Sequence, residues 1–371
     1  MKYLLNRPAR YLLGLLVFVA AIGMLVIGCS DTRDYPTAPE QASQQPLLSM
    51  EHPRMQAVVA VQELHTGSLI ADPEIVGTAV GLNEKNEPAI LVLLRSERGR
   101  SRVKDTIDGV PVVKLVTGPI KALGKPPKTD KLDPKARQTR PISLGVSGGN
   151  AWDLANGYCC SGTLGALVTG GNKLYILSNS HVFAGDIEPP DVAEIGDPIN
   201  QPGLIDVGCY DIPDDYVAHL SSLSSLTGNT NVDCAKAEII SGTVKTDGTI
   251  LGIGTLSSLT VDAYINQPVK KAGRTTGVTR SKVSGLNANV EVWYETECAG
   301  DYFTVVYTGQ IFVASKGDKF LRGGDSGSLL VEDVTENPRA VGLLYAGGGG
   351  VAVANPIDNV LSYLNVQMVG N

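Results

Sequence analysis

The hydrophobic pattern changes character several times along this chain. Lys2, Arg7 and Arg10 precede an apolar run over 11–27 that ends in Leu25-Val-Ile-Gly-Cys29. A positive start, an apolar middle and a small residue before a boundary predict a secretory signal. Residues 30–54 are rich in Pro, Gln and Ser and have little to bury, which predicts a flexible tether. Met55, Val58, Val59, Val61 and Leu64 then recur at the spacing of a short amphipathic helix. Strand-like runs at 75–82 and 89–94 flank a polar turn, the pattern of a hairpin. A charged segment at 96–106 suits a helix, and 110–117 reads as another strand. From 142 onward short β-like runs alternate with glycine-rich turns, at 163–169, 173–178, 249–254, 303–308, 328–331 and 340–345. Such spacing predicts an all-β sandwich or barrel. Only 356–364 looks helical, with Ile357, Val360, Leu361 and Leu364 on one face.

The implied organisation is a signal at 1–28, a tether at 29–54, a small α/β domain at 55–123, a linker at 124–141 and the main β body at 142–371. The linker, GKPPKTDKLDPKARQTR, is proline-rich and basic, hence solvated and open to processing proteases. The small domain carries no nucleophile or ligand cluster, and its His65 is expected at the surface or as a cap.

Composition narrows the class. With 43% hydrophobic and 19% charged residues the chain can bury a core. Lys+Arg 31 against Asp+Glu 38 gives a net charge of −7, which excludes sequence-independent nucleic-acid binding through a positive surface. Four histidines exclude histidine-rich metal arrays, and no cofactor or metal is expected. The acidic stretch 186–215 lacks an EF-hand pattern and is read as a solvated loop.

Three strings carry candidate chemistry. Arg322-Gly-Gly-Asp-Ser-Gly-Ser-Leu-Leu330 sets Ser326 between small residues where a β-run begins. Its hydroxyl can be presented at a turn, and backbone N–H groups can approach a substrate carbonyl. Ile176-Leu-Ser-Asn-Ser-His181 places a histidine at the end of a β-run. Asn231-Val-Asp233-Cys-Ala-Lys-Ala237 places an acid just before an alternating strand. An α/β-hydrolase is excluded, because it needs G-x-S-x-G and the order Ser, acid, His.

In the order His, Asp, Ser, these strings resemble the trypsin-like (chymotrypsin-fold) serine peptidases over about residues 142–365. Cys160-Ser-Gly-Thr-Leu-Gly165, Ala340–Gly348 and the closing helix from Pro356 add to the likeness, which is greatest to bacterial and plant members with an added N-terminal segment. The resemblance implies a mainly β fold of two six-stranded antiparallel barrels with a C-terminal helix, here preceded by the small α/β unit. It implies a serine endopeptidase acting on protein or peptide. Ser326 would be the nucleophile, His181 the general base and Asp233 the partner of the imidazole. The backbone N–H groups of Gly324 and Ser326 would form the oxyanion hole. Phe320, Tyr345, Ala346 and Gly347 are implied as substrate-binding positions. A catalytically silent peptide-binding module of the same fold is the alternative.

The chain also departs from that family. Val182 stands where animal relatives carry a bridging cysteine. Those relatives pair a freed N-terminus with the Asp before the Ser, but Arg140–Pro141 is a poor cleavage site ahead of Ile142. A further idea is that the leading unit blocks the cleft as a pro-segment. The string ending at Cys29 resembles the bacterial lipobox, which implies a lipid on Cys29 and a chain anchored to membrane in the cell envelope, outside the cytoplasm. An uncleaved membrane anchor is the rival. Five other cysteines (Cys159, Cys160, Cys209, Cys234, Cys298) allow two bridges with at least one thiol left over, their connectivity open.

Overall fold

The computed structural model describes residues 48–121, 133–184, 192–227, 230–315 and 319–371. The signal, Cys29 and most of the tether lie outside the described residues, as does the first part of the linker.

The leading segment begins with helix α1 (Pro53–Ile70), capped by His52, whose side chain accepts from Arg54 N at 3.2 Å. Proline at the first turn has no N–H to leave unsatisfied, which suits it to that place. The helix buries Met55, Val58 and Gln62, whereas Leu64 is exposed, because the buried stripe follows a period of 3.6 residues. Strands β1 (Ile75–Leu82) and β2 (Pro88–Leu94) form the expected hairpin, and β3 (Val110–Val116) lies parallel to β2. The charged segment between them holds a single 3-10 stretch, Glu97–Arg102. A short strand β4 (Ile120–Lys121) follows. His65 pairs with Asp108 at 2.7 Å.

The first barrel contains β5 (Val146–Asn150), β6 (Gly162–Leu164), β7 (Ala166–Gly170), β8 (Lys173–Ser178), β9 (Pro198–Asn200), β10 (Tyr216–Leu223) and β11 (Ala235–Ile239). The hydrogen-bonded order is β7-β8-β11-β10-β9-β5-β6. Since β6 runs into β7 through Gly165 alone, they act as one bent strand and the ring closes with six strands. A one-turn helix, α2 (Ser180–Phe183), follows β8.

The second barrel contains β12 (Pro268–Gly273), β13 (Gly277–Glu295), β14 (Tyr302–Ala314), β15 (Leu329–Glu332), β16 (Ala340–Gly348) and β17 (Val351–Pro356). Its order is β12-β15-β16-β17-β14-β13, and pairing of β12 with β13 closes the ring. Helix α3 (Ile357–Leu364) ends the body, burying Ile357, Val360 and Leu364, and stops at Asn365 in the left-handed region (φ 50°). A last strand, β18 (Gln367–Met368), returns to β7 of the first barrel.

Two expectations about the leading half change. The segment 55–123 is not set apart as its own body, since residues Pro46–Asn371 form one compact unit. The physical cause is the length of β13: its first part pairs with β12, and its second part offers a free edge that β1 takes, Gly77 facing Val290 and Gly81 facing Gly285. Residues 133–141 are also not a free linker. Arg137 forms a two-point bond to Asp215 at 2.6 Å, and Gln201 donates to the Ala136 carbonyl at 2.9 Å. The acidic stretch is likewise more than a solvated loop, because Asp197, Asp206 and Asp215 each accept from an internal donor.

Candidate active site

Each of the three candidate residues sits where its barrel strand ends. His181 occupies the short helix after β8, Asp233 lies two residues before the start of β11, and Ser326 lies in the turn before β15. His181 Nδ1 is 2.5 Å from Asp233 Oδ2. Asp233 is fully buried, and its Oδ1 also accepts from Ser180 N at 2.7 Å and His181 N at 3.3 Å. Its backbone is held by Asn179 and Asn355, both of which donate to its carbonyl. No Lys or Arg pairs with Asp233 among the described residues.

His181 and Ser326 line the same cavity, about 300 Å³ in volume. His181 Nε2 has no hydrogen-bond partner among the described residues. The Ser326 hydroxyl donates to the Tyr345 carbonyl at 3.1 Å, so it is not bonded to the imidazole in this conformation. Neither Gly324 nor Ser326 spends its backbone N–H on a bond among the described residues. Gly324 has φ +84°, and a Cβ there would lie 2.7 Å from Arg274 Nη1, so the turn needs glycine.

The turn that holds Ser326 is fastened to both barrels. Thr163 N donates to the Ser326 carbonyl at 2.9 Å, and Thr163 Oγ1 donates to the Gly324 carbonyl at 2.8 Å. The backbones approach closely at this seam, since a Cβ on Gly165 would meet the Gly327 carbonyl at 2.1 Å. On the other side, Asp325 is fully buried and lies 3.0 Å from the Lys271 ammonium. It also accepts from Thr275 N, Thr276 N, Thr276 Oγ1 and Arg322 N. Burial pushes the Lys271 pKa down, with Asp325 acting against that shift. Ile142 is buried beside Thr243, to whose carbonyl its N–H donates at 2.8 Å.

The structure brings His181, Asp233, Ser326 and Gly324 together. Of the other expected positions, Tyr345 contributes its carbonyl and buries its ring against Tyr307, with centroids 5.1 Å apart. Ala346 is buried, and Gly347 pairs antiparallel with Lys121 of β4. Phe320 packs into the core of the second barrel and does not line the cavity.

Several contributors have no local signal in the sequence. Tyr294 Oη lies 3.0 Å from Asp233 Oδ2 and 3.1 Å from Tyr307 Oη. Its ring stands edge-on to His181 at 5.5 Å. Burial and the Asp233 charge raise the Tyr294 pKa well above its ordinary value. The bridges are Cys159–Cys209 and Cys160–Cys298, with Cys234 a buried free thiol whose pKa burial pushes up. Among the described residues, Asp153, Cys160 and Cys298 come within metal-ligand spacing. Both sulfurs are spent in one disulfide and offer no thiolate, so this group does not fit a metal.

No family model and no curated protein matches the chain. Among solved structures, Thermobifida fusca protease A is 18% identical over 62% of this chain and 99% of its own, with a TM-score of 0.41. A glutamic-acid-specific serine protease is 19% identical over 61% and 100%, with a TM-score of 0.39. Cellulomonas bogoriensis chymotrypsin is 19% identical over 62% and 99%, also with a TM-score of 0.39. At these scores the likenesses carry no weight for what this chain does.

Proposed function

We propose that the chain is a serine endopeptidase of the chymotrypsin-like fold, working through Ser326, His181 and Asp233. The observation that carries this is the 2.5 Å contact of His181 Nδ1 with buried Asp233, which leaves Nε2 unpartnered in the cavity that holds Ser326. Rotation about the Ser326 Cα–Cβ bond takes the hydroxyl off the Tyr345 carbonyl toward that nitrogen. Ser326 Oγ then attacks the scissile carbonyl as His181 takes its proton, and Asp233 holds the imidazolium. His181 returns the proton to the leaving amine, and water attacks the acyl-enzyme by the same route. The free N–H groups of Gly324 and Ser326 receive the oxyanion, each such donor being worth about 10²–10³ in rate. The Lys271 ammonium supplies Asp325 with the positive charge that a freed N-terminus supplies elsewhere, so this turn needs no cleavage before Ile142.

In the same reading the leading segment restrains the enzyme. The edge of β16 at Tyr345–Gly347 is where a peptide backbone would pair, and Lys121 already pairs there. Ile120 is fully buried in the cluster that contains Tyr345 and Ala346. Ile120→Asp should expel β4 and raise peptide turnover about tenfold, a gain a purely structural strand would not give. A lipid on Cys29 would hold the enzyme to the cell envelope, which incorporation of a labelled fatty acid, lost in Cys29→Ser, tests directly.

Cleavage of a random peptide library tests the activity. Products that appear with the wild type and vanish with Ser326→Ala are expected. A folded wild type that cleaves nothing, including as Ile120→Asp, would instead favour the silent binding module.

A further inference from the structure

Behind the catalytic couple, Asp233 meets a second hydroxyl donor from the other barrel. Tyr294 comes from β13, 61 residues away in sequence, and places its Oη 3.0 Å from the carboxylate oxygen that also faces His181 Nδ1. A phenol has one proton and an ionised carboxylate can only accept, so the Tyr294 proton belongs to Asp233. Tyr307 Oη, 3.1 Å behind, then donates to Tyr294. The resulting order is Tyr307 to Tyr294 to Asp233, with His181 donating to the same oxygen from the opposite side. Both phenols are buried, and burial together with the Asp233 charge raises both their pKa values, so they remain donors through neutral pH.

We infer that Tyr294 is a positioning residue for the reaction, fixing the Asp233 carboxylate and dividing its charge between the phenol and the imidazole. This rests on the endopeptidase mechanism given above and deepens it. A carboxylate that loses one donor presents more charge to the remaining one, so it holds the adjacent imidazolium more tightly. Removing the Tyr294 hydroxyl must therefore make His181 harder to deprotonate and leave less of the free imidazole on the acid side of the pH profile.

Other groups around the couple bear on its titration. Glu295, Glu297 and Asp153 share the cavity with His181, as does Arg274, which is committed to Asp206 by two bonds of 2.6 Å. Tyr345 and Cys234 lie on the buried side, both with raised pKa values. All of these are identical in wild type and variant, so the difference between the two isolates the Tyr294 donor.

The test compares wild type with Tyr294→Phe, which keeps the ring on His181 and Phe303 and removes only the hydroxyl. The acid limb of kcat/KM against pH should move up by about half to one pH unit, so that kcat/KM at a pH on that limb is about threefold to tenfold lower. Tyr307→Phe should shift the limb in the same direction by less, and it stands in if Tyr294→Phe does not fold. NMR titration of the His181 imidazole, assigned by its loss in His181→Gln, reads the same shift without turnover. An unmoved limb and unmoved imidazole midpoint, with only lower thermal stability, would reduce Tyr294 to a packing residue and overturn the inference. An inert wild type whose imidazole midpoint still rises in Tyr294→Phe would defeat the endopeptidase mechanism and leave the Tyr294–Asp233–His181 coupling standing.

Discussion

Two buried aspartates frame Ser326, and their surroundings differ in one decisive way. Asp325 and Asp233 are both fully shielded from solvent, and each accepts several hydrogen bonds. Asp325 faces the Lys271 ammonium at 3.0 Å. Among the described residues Asp233 faces no Lys or Arg, only the imidazole of His181 and the phenol of Tyr294. A carboxylate paired with an ammonium holds a turn in shape. One that waits for a positive charge to form beside it stabilises that charge when a proton arrives. In the proposed mechanism the same side chain serves architecture in one place and proton chemistry in the other.

Substitutions that exchange the two environments should sharpen this contrast, and the largest effect is on rate. Asp233→Asn should lower kcat by about four orders of magnitude, because the amide favours the wrong imidazole tautomer, while the folded state is barely weakened. Rates from a cleaved peptide alongside a urea melt check both halves. A loss of stability that parallels the loss of rate would make Asp233 structural like its counterpart. Lys271→Met should cost about 3–5 kcal/mol of stability by leaving Asp325 charged and without its cation, and activity should fall with it. Adding Asp325→Asn to that variant should recover part of the stability, since no buried charge remains. A Lys271→Met protein as stable as wild type would mean that the pair contributes nothing to the turn.

The last effect is on the pH dependence of stability, to which the buried phenols on the Asp233 side contribute. Tyr294, Tyr307 and Tyr345 all have raised pKa values in the folded state. Their contribution is therefore whole below the ordinary phenol pKa near 10, and it is lost as pH rises above that value, when only the unfolded chain ionises. Each should remove about 1.4 kcal/mol per pH unit above that point. Denaturant unfolding at pH 9.5 and 11 should show this fall, with a smaller one in Tyr307→Phe. Equal stability of the wild type at both values would contradict the burial of these phenols.

The difference between the two aspartates also explains what could be read along the chain. Ser326, His181 and Asp233 lie in short strings where a β-run meets small or polar residues, so local pattern exposes them. The all-β character follows from short runs and glycine turns for the same reason, whereas the division into two barrels rests on the resemblance those strings carry. Lys271 and Tyr294 have no such signature. Each occupies a strand position like many others, and each acquires its role from a partner 54 or 61 residues away, across a barrel. Lysine in a strand ordinarily faces water, so nothing local marks Lys271 as fully buried. The strands of the leading segment are visible in sequence, but their docking on β13 is not, because the free edge of β13 exists only once the second barrel has closed. Phe320 shows the converse limit: spacing from Ser326 placed it at a pocket, and packing placed it in the core.

The most direct measurement is covalent labelling with a fluorophosphonate, followed by mass mapping of the adduct. The proton-transfer arrangement requires one adduct, on Ser326, faster in Ile120→Asp and abolished in both Ser326→Ala and His181→Ala. A folded protein that takes no label even as Ile120→Asp, or takes it on a residue other than Ser326, would contradict the assignment of Ser326, His181 and Asp233 as a working triad.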